Sequence, residues 1–303
     1  MDKVISDFEF RCCTLCPREC KADRTVSVGF CGMNDRMCAA KAMVHYGEEP
    51  CISGKEGSGA VFFSGCVLHC EFCQNSKISH EKYGSGISVD QLCKVMLRLQ
   101  SMGVNNINIV SGTQFYPLIL SAVDILGSKL KVPLVWNTGG YEKEIAVERL
   151  SRYFKVFLQD MKFYSSEVSK KYARCSDYFH VSLNATKKMI ECVGAPVFDS
   201  RGVLQSGVVL RHLVLPSNRK DSIELLKALA EHIGTDNVVL SLMSQYTPPN
   251  HPSKYRELNR RVTTFEYDSV CDTALSLGFN GYFQGRESAE SIYTPCFDLE
   301  GLF

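Results

Sequence analysis

Three cysteines stand close together in "SGCVLHCEFCQN", residues 64–75: Cys66, Cys70 and Cys73, spaced C-x3-C-x2-C. The next cysteine is Cys93. One loop carrying three thiolates at this spacing can wrap a metal centre. A saturated [4Fe–4S] cube takes four protein ligands, so three thiolates leave one iron without one. An open coordination position is what separates a reactive metal centre from a structural one. Gly65 allows a sharp exit from the preceding run. Phe72 places a ring between the second and third thiols, where it would shield the centre from water. Two plainer arrangements use the same residues: three packed thiols, or zinc completed by His69, His80 or a distant side chain.

A second set lies upstream. Cys13, Cys16, Cys20 and Cys31 follow C-x2-C-x3-C-x10-C, a full set of four that suits structural zinc or a saturated iron–sulfur centre. Such a centre would brace the N-terminal segment or relay electrons, with Cys12, Cys38 and Cys51 as spare ligands. The chain has 15 cysteines in 303 residues, ten of them within the first 73. Disulfides form poorly in a reducing cytosol, whereas thiolates there hold soft metals. Cys93, Cys175, Cys192, Cys271 and Cys296 are scattered, mostly in apolar surroundings that suit inert thiols.

The whole composition excludes several classes. An apolar fraction of 45% and a charged fraction of 22% are ordinary for a soluble protein. A net charge of +1 gives no electrostatic reason to expect a nucleic acid or an anionic membrane as partner. No run approaches the roughly 20 apolar residues of a membrane span. The opening "MDKVISDFEF" has acidic residues and no apolar core, unlike a secretory signal, so a cytoplasmic protein is expected.

These cysteines need elements to hold them. Residues 1–59 carry few apolar runs and read as a small Cys-rich metal-binding region; residues 60–303 read as one β/α domain. Strands are expected at 60–64, 106–110, 132–137, 156–160, 208–215 and 237–242. Helices are expected at 88–103, 115–130, 142–153, 185–194, 222–234 and 263–278. Alternation of this kind implies a parallel sheet with right-handed crossovers, either an open doubly wound sheet or a curved partial barrel. In both, ligands gather at the C-terminal ends of the strands.

The strand ends offer polar candidates. Asp160 and Lys162 are two residues apart, so in extended geometry they point to one side and suit a zwitterionic ligand. Asn137 ends the third strand beside Gly139 and Gly140. Gly112 and Thr113, in "SGTQF", end the second and offer backbone carbonyls and a hydroxyl. Arg211 interrupts the apolar fifth strand and must reach solvent, a partner or a ligand such as a carboxylate, while His212 reads as a satisfied barrel residue. Gln245 and Tyr246, with Met243 nearby, close the sixth.

C-x3-C-x2-C directly after the first strand of a β/α-repeat chain resembles the radical S-adenosylmethionine superfamily. Within it the chain looks like a long branch grouped with pyruvate formate-lyase activating enzymes, through "CTLCPREC", "GFCG", "GEEPCISGKEGSGAVFFSGCVLHCEFCQN", "NTGGYE", "QDMKF", "LRHLVLP", "SLMSQYTP", "LNRRVTTFEY" and "GYFQ". The resemblance implies a partial (β/α)6 TIM-type barrel with the Cys-rich segment as an appendage. It implies that Cys66, Cys70 and Cys73 hold a [4Fe–4S] cluster whose open iron binds the amino and carboxylate groups of S-adenosylmethionine. An electron from a low-potential donor of flavodoxin or ferredoxin type would then give a 5′-deoxyadenosyl radical that abstracts hydrogen from a protein or peptide. Glycyl-radical enzyme activation is the named version. Modification of a small molecule or another peptide residue is the alternative, and a non-enzymatic metal-binding module the contrasting one. Asp160 and Lys162 match the activating enzymes' Asp-x-Lys element beside the methionine moiety. The Gly-Gly-Glu stretch common in the superfamily is replaced here by Gly112, Thr113 and Gln114.

Overall fold

The computed structural model describes residues 9–248, 253–285 and 295–303. Its ten strands in chain order are β1 (Cys38–His45), β2 (Ser58–Phe63), β3 (Ser85–Gly86), β4 (Ile107–Val110), β5 (Leu134–Thr138), β6 (Val156–Asp160), β7 (Val197–Phe198), β8 (Leu204–Leu213), β9 (Val239–Met243) and β10 (Gly281–Phe283). The sheet order is β10-β9-β8-β6-β5-β4-β2-β1-β3, with β7 paired off the path to β8. Along that path every pair from β2 to β10 is parallel; β7 is antiparallel to β8, and β1 is antiparallel to β2 and to β3. The two end strands do not pair, so the sheet curls into a partial barrel and stays open.

The six expected strands form, and β1, β3 and β10 extend them. β1 reads "CAAKAMVH", rich in alanine, which has weak strand preference of its own. It is held by pairing with the uniformly buried β2. Residues 38–45 therefore belong to the main sheet, and the composition change at residue 59 falls inside β2. The other edge of β1 is covered by the C-terminal segment. Leu299 N–H donates to Ala40 O at 3.0 Å, and Ala42 N–H to Glu300 O at 3.0 Å. The buried Lys41 ammonium pairs with Asp298 at 3.1 Å and Glu300 at 2.9 Å. A covered edge cannot recruit a foreign strand.

Helices Val89–Ser101, Tyr116–Leu126, Glu144–Leu150, Tyr178–Val193, Arg219–Ile233 and Thr264–Ser276 fill the expected crossovers. Ser88 and Thr263 open theirs with capping boxes, which satisfy N–H groups a first turn leaves free. The Tyr178–Val193 helix starts seven residues before the expected 185, because Tyr178, Phe179, Ser182 and Leu183 continue its buried face. A further helix, Ser166–Ala173, begins at Ser165, whose hydroxyl caps it.

Strand alternation sets the polarity of the barrel interior. Val135, Leu158, Val209 and Val239 pack with Cys51 and Ile52 of the short Pro50–Ser53 turn into an apolar plug. Two residues further along the strands stand Asn137, Asp160, Arg211 and Ser241, on the same face. The barrel is thus sealed by hydrocarbon toward the strands' N-terminal ends and lined by polar groups toward their C-terminal ends.

Candidate active site

The chain leaves β2 through Gly65, with φ at +79°. A Cβ there would sit 2.4 Å from Met33 Cγ and 2.7 Å from Cys31 O, so only glycine fits. Cys66 N–H then donates to Cys31 O at 3.3 Å. Cys73 N–H donates to Cys70 O at 3.1 Å, which curls the loop. Leu68 N–H points at Cys66 Sγ at 3.4 Å, and the Ser79 hydroxyl at Cys73 Sγ at 3.2 Å. All three sulfur-bearing residues line one cavity of about 200 Å³, together with Asn137, Asp160 and Lys162. Phe72 lines it too, braced edge-on by Phe163 at 5.9 Å.

Burial pushes the Cys70 and Cys73 thiols up; Lys162 opposes this in both. His69 Nε2 lies 3.0 Å from Phe30 O, and neither His69 nor His80 lines the cavity. Histidine therefore does not complete the three-thiol set. Among the described residues no group of three or more His, Cys, Asp or Glu is arranged to hold a metal ion. A single zinc draws its thiolates to about 2.3 Å from one point. Cys66, Cys70 and Cys73 line the cavity that Asp160 and Lys162 also line, and would hold a cluster there by three thiolates.

Opposite the thiols runs a chain of charges. Lys162 Nζ donates to Asp160 Oδ2 at 2.5 Å, and Arg211 Nε to Asp160 Oδ1 at 2.7 Å. Arg211 Nη2 donates to Asn137 Oδ1 at 2.7 Å, and Nη1 reaches Glu48 Oε2 at 3.2 Å. Glu48 Oε1 also accepts from Asn108 at 3.0 Å and Asn137 at 3.1 Å. Burial opposes the charge on Asp160, but Arg211 and Lys162 outweigh it and hold that carboxyl below its usual range. Burial likewise opposes the Lys162 and Arg211 charges, and Asp160 outweighs it in both. The Asp160 pairs with Lys162 and Arg211 stay formed at neutral pH, whereas burial raises the Glu48 carboxyl against the pull of Arg211.

Asn137, Asp160, Lys162, Arg211 and Gln245 are brought together on this cavity. Gly112, Thr113 and Tyr246 line neither it nor the adjoining cavity. Gly112 is packed against Ile109, Ile119 and Trp136; the Thr113 hydroxyl donates to Glu142 Oε1 at 2.5 Å. Tyr246 is 1% exposed and donates to Leu258 O at 2.6 Å. Of that strand end, Ser111 faces the cavity, while Gln114 Nε2 pins the cysteine loop through Ser64 O at 2.9 Å and Gly65 O at 3.3 Å. His212 sits on the opposite face of β8, between Met161 O at 2.6 Å and Ser222 Oγ at 2.8 Å, and burial holds it down at about 4.

Sequence reasoning missed Glu48, Glu49 and Asn108. A second cavity, of about 280 Å³, adjoins the first through Asn137, Arg211, Met243 and Gln245, and both glutamates line it. Their signal was two adjacent acids in "GEEP" and an asparagine inside the apolar run "NINIV".

The N-terminal cysteines occupy different surroundings. Cys13, Cys16 and Cys31 are buried and Cys20 is exposed. A Cβ on Gly29 would lie 3.4 Å from Cys20 Sγ and 3.5 Å from Cys31 Sγ, so those sulfurs approach one another. Arg24, 1% exposed, turns Nη1 toward Cys13 Sγ at 3.6 Å and donates otherwise to the carbonyls of Met33, Asn34 and Gln114. Arg18 ties this segment to the barrel mouth. Its guanidinium donates to Val67 O at 2.8 Å, Arg174 O at 2.6 Å and Ala173 O at 2.8 Å, and lies 4.2 Å from the Phe30 ring centroid.

The model of the Radical SAM superfamily matches residues 60–240, and the chain belongs to that superfamily. It is 26% identical over 274 residues to the uncharacterized protein MJ0674 of Methanocaldococcus jannaschii, covering 88% of this chain and 75% of that protein. Among solved structures, HydG, a maturase of the [FeFe]-hydrogenase, aligns with a TM-score of 0.50 at 12% identity over 72% of this chain. The match spans 48% of the maturase, about half its length, and shows the shared fold. A domain of pyruvate-formate lyase-activating enzyme from Bacteroides vulgatus aligns with a TM-score of 0.40 at 12% identity, over 55% of this chain and 91% of that one. The superfamily implies a [4Fe–4S] cluster and S-adenosylmethionine, and the three-thiol cavity with its charged wall fits both. No described helix is long and apolar enough to cross a membrane.

Proposed function

We propose that this chain is an enzyme that abstracts a hydrogen atom from one small group of its substrate, either a single residue of a peptide or a small molecule. The observation that carries this reading is the convergence of Cys66, Cys70, Cys73, Asp160 and Lys162 on one cavity. When bound there, the cluster and S-adenosylmethionine supply a 5′-deoxyadenosyl radical. The Cys66, Cys70 and Cys73 thiolates would hold the cluster. Lys162 uses one N–H on Asp160 and has further donors for the cofactor's carboxylate. Asp160, locked between two cations, keeps that ammonium aimed. Arg211 and Asn137 form the wall between the two cavities, and Gln245 borders both. Phe72 and the apolar plug keep water from the reacting groups.

A cavity of about 280 Å³ lies at the small end of ligand sites, so it takes a side chain or a metabolite rather than a folded surface. A glycine loop of a glycyl-radical enzyme is one substrate of that size. The N-terminal cysteines are proposed as a second metal centre of zinc or iron–sulfur type, with Cys20 and Cys31 converging at Gly29; the sulfurs are not gathered to ligand geometry in the structure, so binding would draw them in. Anaerobic loading with iron and sulfide, chemical reduction and addition of S-adenosylmethionine test the reading. 5′-Deoxyadenosine is expected from the wild type; its absence, alone and with candidate substrates, overturns the enzyme. Electron paramagnetic resonance with a candidate glycyl-radical enzyme tests the activation version.

A further inference from the structure

The second cavity carries an imbalance of charge. Among the described residues its lining has two carboxyls, of Glu48 and Glu49, and one guanidinium, of Arg211. That guanidinium is committed to Asp160, Glu48 and Asn137. Glu49 forms no ion pair among the described residues. It is 8% exposed, it lines the cavity, and its Oε2 has no hydrogen-bond partner among the described residues. Ser241, on the neighbouring wall, stands beside the carboxyl. Burial raises the Glu49 carboxyl, while Arg211 and Ser241 pull it back down; an unpartnered buried oxygen of such a group is costly unless the group takes up a proton or a cationic ligand satisfies it.

We propose that the cavity lined by Glu48 and Glu49 recognises a primary ammonium group of the substrate, received by Glu49 Oε2. One free oxygen suits an ammonium, a compact point charge, whereas a guanidinium would need a two-oxygen fork, and Glu48 has given its oxygens to Arg211 and two asparagines. The cofactor's own amino group is not the occupant. Glu49 borders the second cavity and not the thiol-lined one, where that amino group would sit on the open iron. Placing a substrate here rests on the radical reading above; the preference for an ammonium does not. The ammonium could come from a free amine or from a lysine side chain of a peptide.

Calorimetric titration of the full chain separates these cases. The probes are n-pentylamine against 1-pentanol, and acetyl-Gly-Lys-Gly-amide against its norleucine counterpart, with S-adenosylhomocysteine reporting the cofactor site. At least one charged probe should bind ten times or more tightly than its uncharged partner. Glu49→Gln should erase that preference and leave S-adenosylhomocysteine binding unchanged, while Glu49→Asp keeps a weakened preference. Tighter pentylamine points to a metabolite, tighter lysine peptide to a peptide. Equal binding of charged and uncharged probes overturns the proposal, as water then satisfies Oε2. Equal loss of S-adenosylhomocysteine in Glu49→Gln also overturns it, assigning Glu49 to the cofactor. An ammonium preference in a protein that never cleaves S-adenosylmethionine would sink the radical reading and leave this site standing.

Discussion

Cys13, Cys16 and Cys31 are packed into the same buried cluster as Leu15, Met33 and Met37, with Arg24 closing over Cys13. Cys66, Cys70 and Cys73, a short way along the chain, look onto a cavity that continues into a second one. Both sets are cysteine-rich segments of similar spacing, and the two meet where Cys66 N–H bonds to Cys31 O. What separates them is the space in front of the sulfurs. Cys66, Cys70 and Cys73 line a cavity, and a thiol set with an open side can present a centre to a ligand. Burial pushes the Cys16 thiol up to about 12 and raises Cys31 as well, as it does Cys70 and Cys73, so burial alone does not distinguish the two.

The contrast can be broken most directly at the loop. Cys66→Ala, Cys70→Ala and Cys73→Ala should each reduce 5′-deoxyadenosine formation to background while leaving circular dichroism unchanged. If any of them cleaves S-adenosylmethionine at the wild-type rate, the loop is not the reactive centre. Next in size is the seam between the sets. Arg18→Ala removes donors from three backbone carbonyls and the contact with Phe30, for a loss of about 2–4 kcal/mol in denaturant unfolding. It should also speed hydrogen exchange in residues 13–31 and at the cysteine loop together. Exchange confined to one of them would mean that the seam does not couple them. The smallest effect is expected at Cys16→Ala, about 1–2 kcal/mol of lost packing. Cleavage should persist in that variant, and any zinc or iron beyond the cluster, counted by elemental analysis, should fall. Loss of cleavage equal to that of the loop variants would erase the difference between the two sets.

That the three thiols of the loop share one cavity was legible in their close spacing, and the six parallel strands because β-branched runs alternate with amphipathic stretches. β1 was not, since an alanine-rich strand inside a cysteine-rich segment owes its state to pairing with β2 rather than to its own preference. Asp160 and Lys162 were legible as a same-side pair. Gly112, Thr113 and Tyr246 were read from their place at strand ends, yet turn into packing, because a residue's position along a strand does not say which way the following turn rotates it. Glu48 and Glu49 were hidden for a related reason. They lie on the β1–β2 connection, and nothing local shows that it folds into the barrel interior beside Arg211.

Gly65 has a meaning for descent as well as for geometry. Its missing side chain is demanded twice, once by its own backbone angle and once by Met33 and the Cys31 carbonyl pressed against it. A lineage could trade Met33 for a smaller residue, but not the carbonyl. While the N-terminal segment rests in this place, neither partner is free to drift alone. The two cysteine segments are therefore packed as one unit, and any side chain at position 65 would have to push the first away from the turn that begins the second.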